Sequence, residues 1–261
     1  MKIVVCIKQV PDTTEVKINP VTGTLIREGV PSIMNPDDKG GLEFALQLKD
    51  KYGAHVTVIT MGLPQADAIL REALAMGVDR AILLTDRKLG GADTLATSSA
   101  LAGALRTMDY DLIITGRQAI DGDTAQVGPQ IAEHLDIPQV SYLEDLDFDE
   151  QKCIVTARKQ TEEGYEVLEL QAPCLVTVLA SAVKPRYMNV RGIVTAFDKE
   201  VEVWNADRIN VPEDRIGKAG SPTNVFKSFP KALKPAGQTF EVSPEEAVDI
   251  IVDKLKEKHI I

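Results

Sequence analysis

Short, mostly apolar runs recur along this chain at Ile3 to Ile7, His55 to Thr60, Ala81 to Leu84, Leu112 to Thr115 and Leu175 to Leu179. A strand covered on both faces reads as such a run, whereas a half-exposed strand alternates. Helical segments separate the first four runs. One begins at Asn35-Pro36-Asp37-Asp38, with Asn35 as N-cap, Pro36 at the first helical position and Leu42, Ala45 and Leu46 facing inward. A second runs from Ala66 to Ala75 and is closed by Gly77. A third opens at Gly90-Gly91-Ala92-Asp93-Thr94, and a fourth carries Ile131, Ala132 and Leu135. Strands alternating with helices imply an α/β fold, a mostly parallel sheet with helices on both faces.

The rhythm then changes. Cys153 to Lys159 and Tyr165 to Leu170 alternate like an antiparallel pair around Glu162-Glu163-Gly164. Residues 17–30 alternate around Thr22-Gly23, which suggests a hairpin excursion near the start. After Ala182 the βαβ pattern is lost, and Gly217 to Pro235 is rich in Gly, Pro, Ser and Lys. A closing helix, Pro244 to Lys258, has Ser243 as N-cap and apolar Ala247, Ile250, Ile251 and Leu255. These features divide the chain into an α/β domain over residues 1–185 and a C-terminal arm with its helix over 186–261. An irregular arm of this length is expected to clasp a partner, because it buries little of itself.

Composition removes several classes of function. Over 261 residues the formal charge is −10, which argues against a nucleic-acid binder. No run approaches a membrane span, and Met1-Lys2-Ile3-Val4-Val5-Cys6 enters a strand without a signal-peptide pattern, so a cytoplasmic location without membrane insertion is expected. Cys6, Cys153 and Cys174 are far apart and read as small buried hydrophobes, not as a disulfide framework or an iron–sulfur set. His55, His134 and His259 are equally scattered, so no metal set follows. No nucleophile–base set announces itself, and no catalytic side chain is assigned.

The most informative stretch joins the fourth strand to the fourth helix, Gly116-Arg117-Gln118-Ala119-Ile120-Asp121-Gly122-Asp123-Thr124-Ala125-Gln126-Val127-Gly128. Asp123 and Gln126 have the spacing of a capping box, which places free backbone N–H groups and a partial positive charge at a helix start. Gly122 lacks the Cβ that would hold a ligand away. Ligands of open parallel sheets bind at the carboxyl ends of strands, and phosphate suits a helix N-terminus. Neither the Walker pattern nor the dinucleotide GxGxxG fingerprint is present, so spacing alone says that a nucleotide can sit here.

The wording of this stretch resembles the nucleotide-binding loop of the electron-transfer flavoprotein β subunit. Separated blocks resemble the same family: Val5-Cys6-Ile7-Lys8-Gln9-Val10-Pro11-Asp12, Met34-Asn35-Pro36-Asp37-Asp38, Ala73-Leu74-Ala75-Met76-Gly77-Val78-Asp79, and Ala157-Arg158-Lys159 through Pro173-Cys174-Leu175-Val176-Thr177. The resemblance implies a flavodoxin-like, doubly wound α/β domain of the adenine-nucleotide-binding type, with an extended C-terminal arm that holds an α subunit in a heterodimer. It implies that the α subunit carries an electron-donating FAD. In the ordinary branch the β subunit buries a structural AMP. In the electron-bifurcating branch a second FAD takes that place and is reduced by NADH. One electron then goes to ferredoxin or flavodoxin and the other to an acyl-CoA dehydrogenase or similar flavoenzyme.

Ordinary members carry bulkier residues where this chain has Gly122, Thr124 and Ala125, and Gly90 to Ser98 also looks like the bifurcating form. The segment Tyr187-Met188-Asn189-Val190-Arg191-Gly192 matches the family's recognition loop in position but has Arg191-Gly192 in place of Pro-Asn. The bifurcating branch is therefore the expected one. In that reading Asp121, Gly122, Asp123, Thr124, Ala125, Gln126, Val127 and Gly128 cradle phosphates, with Gln118 at the edge of the same loop. Cys6, Asn35 and Met61 surround the adenosine. Asp93, Thr94 and Thr97 reach the pyrophosphate or ribityl chain, and Arg191 stands as a cation near the isoalloxazine. The corner at Asp37 and Asp38, which would repel phosphate, is assigned to the sugar or base end. The rival from another class is an ATP-binding module of the stress-protein type, which would leave the long arm unexplained.

Overall fold

The computed structural model describes residues 1–12, 31–223, 226 and 236–261. In chain order it forms β1 (Lys2–Cys6), β2 (Gln9–Pro11), β3 (Ser32–Met34), α1 (Pro36–Tyr52), β4 (His55–Met61), α2 (Asp67–Met76), β5 (Arg80–Leu84), α3 (Thr94–Leu105), β6 (Leu112–Gly116) and α4 (Val127–Leu135). There follow β7 (Gln139–Asp149), β8 (Ile154–Gln160), β9 (Tyr165–Gln171), β10 (Cys174–Val178), α5 (Val190–Ala196), β11 (Val201–Trp204) and α6 (Pro244–Glu257). Short 3-10 turns connect several of them. The hairpin expected at 17–30 lies outside the described residues, and the segments on either side, β2 and β3, pair antiparallel.

The main sheet has nine strands in the order β11-β5-β4-β1-β6-β10-β7-β8-β9. From β11 to β7 every pairing is parallel, and β8 and β9 then add antiparallel. The expected doubly wound, mostly parallel sheet is therefore present. The period-2 alternation of β1 shows how both faces are filled. Ile3 and Val5 join the core under α1 and α2, while Val4 and Cys6 join the second core under α3 and α4. The chain winds outward from β1 through β4 and β5, then returns to place β6 on the other side of β1. The strand order therefore reverses between β1 and β6, and sheets of this kind bind ligands at the carboxyl ends of the strands flanking such a reversal.

The helix ends follow local rules. Gly53 closes α1 in the left-handed conformation with φ 69°, and Gly77 ends α2 with its N–H on the Ala73 carbonyl. Among the described residues no helix is long and apolar enough to cross a membrane. Cys6 and Cys174 are buried as expected, but Cys153 is exposed, at the turn that leads into β8.

The loss of βαβ rhythm after Ala182 does not mark the edge of the compact unit. That unit runs from Met1 to Phe226, so the arm boundary set at residues 185 and 186 falls inside it. Arg186 is fixed by a fork on buried Glu43, with Nε and Nη2 donating at 2.9 and 3.0 Å. Helix α5 packs on α2, and β11 extends the sheet beside β5. The Arg80 guanidinium grips Glu202 at 2.5 and 2.8 Å, and Trp204 is buried beneath it. Residues 186–223 thus belong to the compact unit and anchor on it through Ala196, Trp204, Ala206, Ile209 and Ile216, while much of α5 stays exposed. Their elements are only four to seven residues long, too short for a periodic signal. The second unit spans Lys227–Ile261. Within it, α6 starts with a reciprocal capping box between Ser243 and Glu246, and none of its side chains is buried.

Candidate nucleotide-binding site

The β6–α4 loop leaves the sheet at the strand-order reversal, and buried acidic side chains fasten its start. Gly116 N–H donates to Asp38 Oδ1 at 2.9 Å, and Lys8 N–H at the end of β1 donates to Asp38 Oδ2 at 2.8 Å. Asp37 accepts from Ala180 N–H at 2.8 Å and from Gln118 N–H at 3.3 Å, with Arg117 Nε 3.4 Å away. Two consecutive aspartates at the start of α1 therefore stitch together the ends of β1, β6 and β10. Burial pushes the Asp38 carboxyl up to about 7, against the two N–H bonds that pull it down.

Asn35 is fully buried and does not cap α1 with its side chain. Its Nδ2 donates to the Gln118 carbonyl at 2.7 Å, and its Oδ1 accepts from Ile120 N–H at 3.1 Å. Asn35 so holds both backbone polarities of the loop. Asp121 pairs with Lys8 Nζ at 2.7 Å and its side chain is almost wholly covered. Cys6, at the end of β1, has its thiol pushed up to about 12 by burial and then by Asp38, which keeps it neutral.

The capping box expected between Asp123 and Gln126 does not form. Helix α4 begins later, at Val127, and its N-cap Gln126 makes no side-chain cap bond. Asp123 instead accepts from Gln118 Nε2. The physical reason is the backbone: Asp123 and Ala125 both take left-handed conformations, with φ 51° and 52°, and lift the chain through an extra turn before the helix. Ala125 followed by Gln126, in the right-handed region, is the αL–αR sequence that curls successive N–H groups around an anion. From Thr124 to Gly128 the backbone N–H groups have no acceptor among the described residues. The dipole of α4 adds to this positive end.

The glycines divide by role. A Cβ on Gly122 would meet nothing within 4 Å, so this exposed residue opens onto free space. A Cβ on Gly128 would sit 2.7 Å from Thr115 Oγ1 and Thr177 Cγ2, so that glycine seats α4 on β6 and β10. Gly90 and Gly91 were expected to wall the pocket or pack a helix on the sheet. They receive the chain's own later segment: Lys218 N–H donates to the Gly90 carbonyl at 3.0 Å, and Gly91 needs its φ of 74° beside the Lys218 side chain.

Other expected contacts come together at the same end of the sheet. Thr94 Oγ1 donates to Gln126 Oε1 at 2.8 Å and joins the starts of α3 and α4. Asp93 caps α3 through the Ala96 N–H at 3.0 Å and accepts from Thr223 N–H at 3.1 Å. Thr97 is half-buried one turn on. Met61 ends β4 and, like Val127, packs against the second core. Arg191 is not among them. It is exposed on α5, where a Cβ on the neighbouring Gly192 would meet the Ala75 carbonyl at 2.2 Å. Ala75 ends α2 at the amino edge of the sheet, opposite the loop. Lys8, Asp37 and Asp38 hold the loop, a role the sequence did not reveal: acidic residues at a helix start suit its dipole, and the Asp37–Asp38 corner was assigned to the sugar or base end.

The residues fit an anionic nucleotide. The acidic side chains turn inward onto N–H groups or cations, and the open end of the loop presents N–H groups and small residues. Fold and site define a mostly parallel α/β domain whose β6–α4 loop presents a run of backbone N–H groups that have no acceptor among the described residues. A family model described as the electron transfer flavoprotein domain matches residues 22–209, and the chain belongs to that family. It is 58% identical over 261 residues to an electron transfer flavoprotein subunit beta of Clostridium acetobutylicum, covering all of both chains. It is 52% identical to the caffeyl-CoA reductase-Etf complex subunit CarD of Acetobacterium woodii, again over the whole of both. To the acryloyl-CoA reductase electron transfer subunit gamma of Anaerotignum propionicum it is 45% identical, also end to end.

Proposed function

We propose that this chain is the β subunit of a heterodimeric, electron-bifurcating electron-transfer flavoprotein. With its α subunit it moves electrons from NADH to ferredoxin or flavodoxin and to an acyl-CoA dehydrogenase-type flavoenzyme. The observation that carries the reading is the run of N–H groups from Thr124 to Gly128, which have no acceptor among the described residues, beside the open space at Gly122. An AMP site needs closure beyond one phosphate, whereas an FAD site stays open there. The full-length similarity to subunits named for caffeyl-CoA and acryloyl-CoA reductases supports the same branch.

When bound, FAD supplies the hydride and single-electron chemistry. The protein's part is binding and electrostatics. Thr124 to Gly128 hold the phosphates, Asn35 and the two aspartates keep the loop in shape, and Thr94 and Thr97 face the chain beyond the phosphates. The apolar side chains exposed on and beside α5 (Tyr187, Val190, Val194 and Phe197) suit recognition of a partner flavoenzyme. Val248 and Ile251, exposed on α6, suit burial against the α subunit.

The test is coupling. The purified heterodimer is expected to reduce ferredoxin with NADH only when the acyl-CoA dehydrogenase and its enoyl-CoA substrate are both present. Equal ferredoxin reduction without the dehydrogenase, or none with it, overturns the bifurcating reading.

A further inference from the structure

Tyr142 has a backbone conformation that its residue type does not favour. Between β7 and β10 the register runs Val140 opposite Val176 and then Leu143 opposite Val178, so Ser141 and Tyr142 together face Thr177. This is a β-bulge, and Tyr142 sits in it with φ 65°. Glycine is the usual occupant of a left-handed bulge position, and an L residue is strained there. The bulge is pinned by Tyr142 N–H donating to Thr177 Oγ1 at 3.2 Å. Its effect is to re-aim the ring, which is 40% exposed at the carboxyl rim of the sheet. A core role does not account for a strained, half-exposed aromatic.

The ring meets a cation on the same rim. Arg117 Cζ lies 6.0 Å from the Tyr142 ring centroid. Asp37 holds this guanidinium from below, 3.4 Å from Nε, yet Nε is buried without a hydrogen bond. Arg117 opens the nucleotide loop, and the first turn of α4 rests on Thr177, the residue that pins Tyr142. The ring and the phosphate cradle are thus one side chain apart.

We propose that Tyr142 and Arg117 form a ring-binding subsite for the flat heteroaromatic end of the dinucleotide whose phosphates occupy the loop. The proposal rests on the nucleotide reading above. The tyrosine face supplies stacking, and the guanidinium supplies a positive charge beside a ring that becomes electron-rich on reduction. The energy stored in the bulge is the cost of presenting that face.

The experiment compares wild type, Tyr142→Gly and Tyr142→Phe as αβ heterodimers. Three quantities are read: the melting temperature, the rate of flavin release on dilution, and AMP affinity after flavin removal. The Gly122→Val variant identifies which flavin belongs to the loop. Tyr142→Gly is expected to melt at or above the wild-type temperature, because glycine relieves the left-handed strain. It should release the loop-bound flavin about tenfold faster, the size of a lost aromatic stack. AMP affinity should not change, since AMP has no distal ring, and Tyr142→Phe should behave as wild type. A lower melting temperature with unchanged release would make Tyr142 a packing residue and overturn the proposal. So would equal losses of FAD and AMP. A wild-type heterodimer from which Gly122→Val displaces no flavin overturns the nucleotide reading itself, a result visible before Tyr142 is changed.

Discussion

Replacing Gly122 with valine is expected to leave the fold intact and to empty the nucleotide site of the β subunit. The fold survives because an added Cβ meets nothing within 4 Å and the position is not left-handed. The site fails because the branched side chain takes the space beside the N–H groups of Thr124 to Gly128. Hydrogen bonds to charged groups are worth about 1.5–3 kcal/mol each, so displacing the phosphate from one or two weakens binding by about tenfold or more. Equilibrium dialysis on the refilled heterodimer measures this, with circular dichroism as the control for folding. Full occupancy in a folded variant would show that the loop does not approach the ligand.

Gly116→Ala is expected to have the largest effect on stability. Its Cβ would stand 2.3 Å from Asp38 Oδ1 and 2.7 Å from both Asp37 Cβ and Asp38 N. The start of α1 must then move off the end of β6. Overpacking of this kind costs about 1–3 kcal/mol, and it also breaks the Gly116 N–H bond to a buried carboxyl. A total near 3 kcal/mol lowers the melting temperature of a domain this size by about 6–12 °C. Because Asp37 and Asp38 also hold Lys8, Gln118 and Ala180, the variant should lose nucleotide as well as stability. A melting temperature within a degree or two of wild type would mean that the aspartates do not set the loop.

The two variants separate what could and could not be read from residue order. Strands β1, β4, β5, β6 and β10 were legible because burial on both faces demands continuous apolar runs. Strand β7 was not, since Glu144, Asp145, Asp147 and Asp149 interrupt its pattern. All four acids find partners in the fold: Asp147 at Lys51 Nζ 2.8 Å away, Glu144 near Arg158 at 3.7 Å, Asp149 near Lys152 at 3.6 Å, and Asp145 at the Leu146 N–H at 2.9 Å. The position of the loop between β6 and α4 was legible from Gly, Asp and the helix that follows. Its shape was not. The cap predicted at Asp123 gave way to left-handed turns at Asp123 and Ala125, and alanine carries no signal for that conformation. Asp37 and Asp38 were assigned to the sugar or base end of a nucleotide, yet both are buried and spent on the fold itself, because backbone N–H groups from three strand ends needed acceptors. That the compact unit continues past residue 186 was not legible for a related reason. The four residues of β11 are too few to announce a strand, but a parallel edge beside β5 was available to pair with them.

In the proposed function the loop after β6 holds the second flavin of a bifurcating heterodimer. Cofactor stoichiometry tests it most directly. The purified αβ heterodimer is denatured, and the released FAD and AMP are quantified by chromatography against protein concentration. Two FAD per heterodimer and no AMP is the predicted result. One FAD with one AMP would contradict it and place this protein in the ordinary branch of the family.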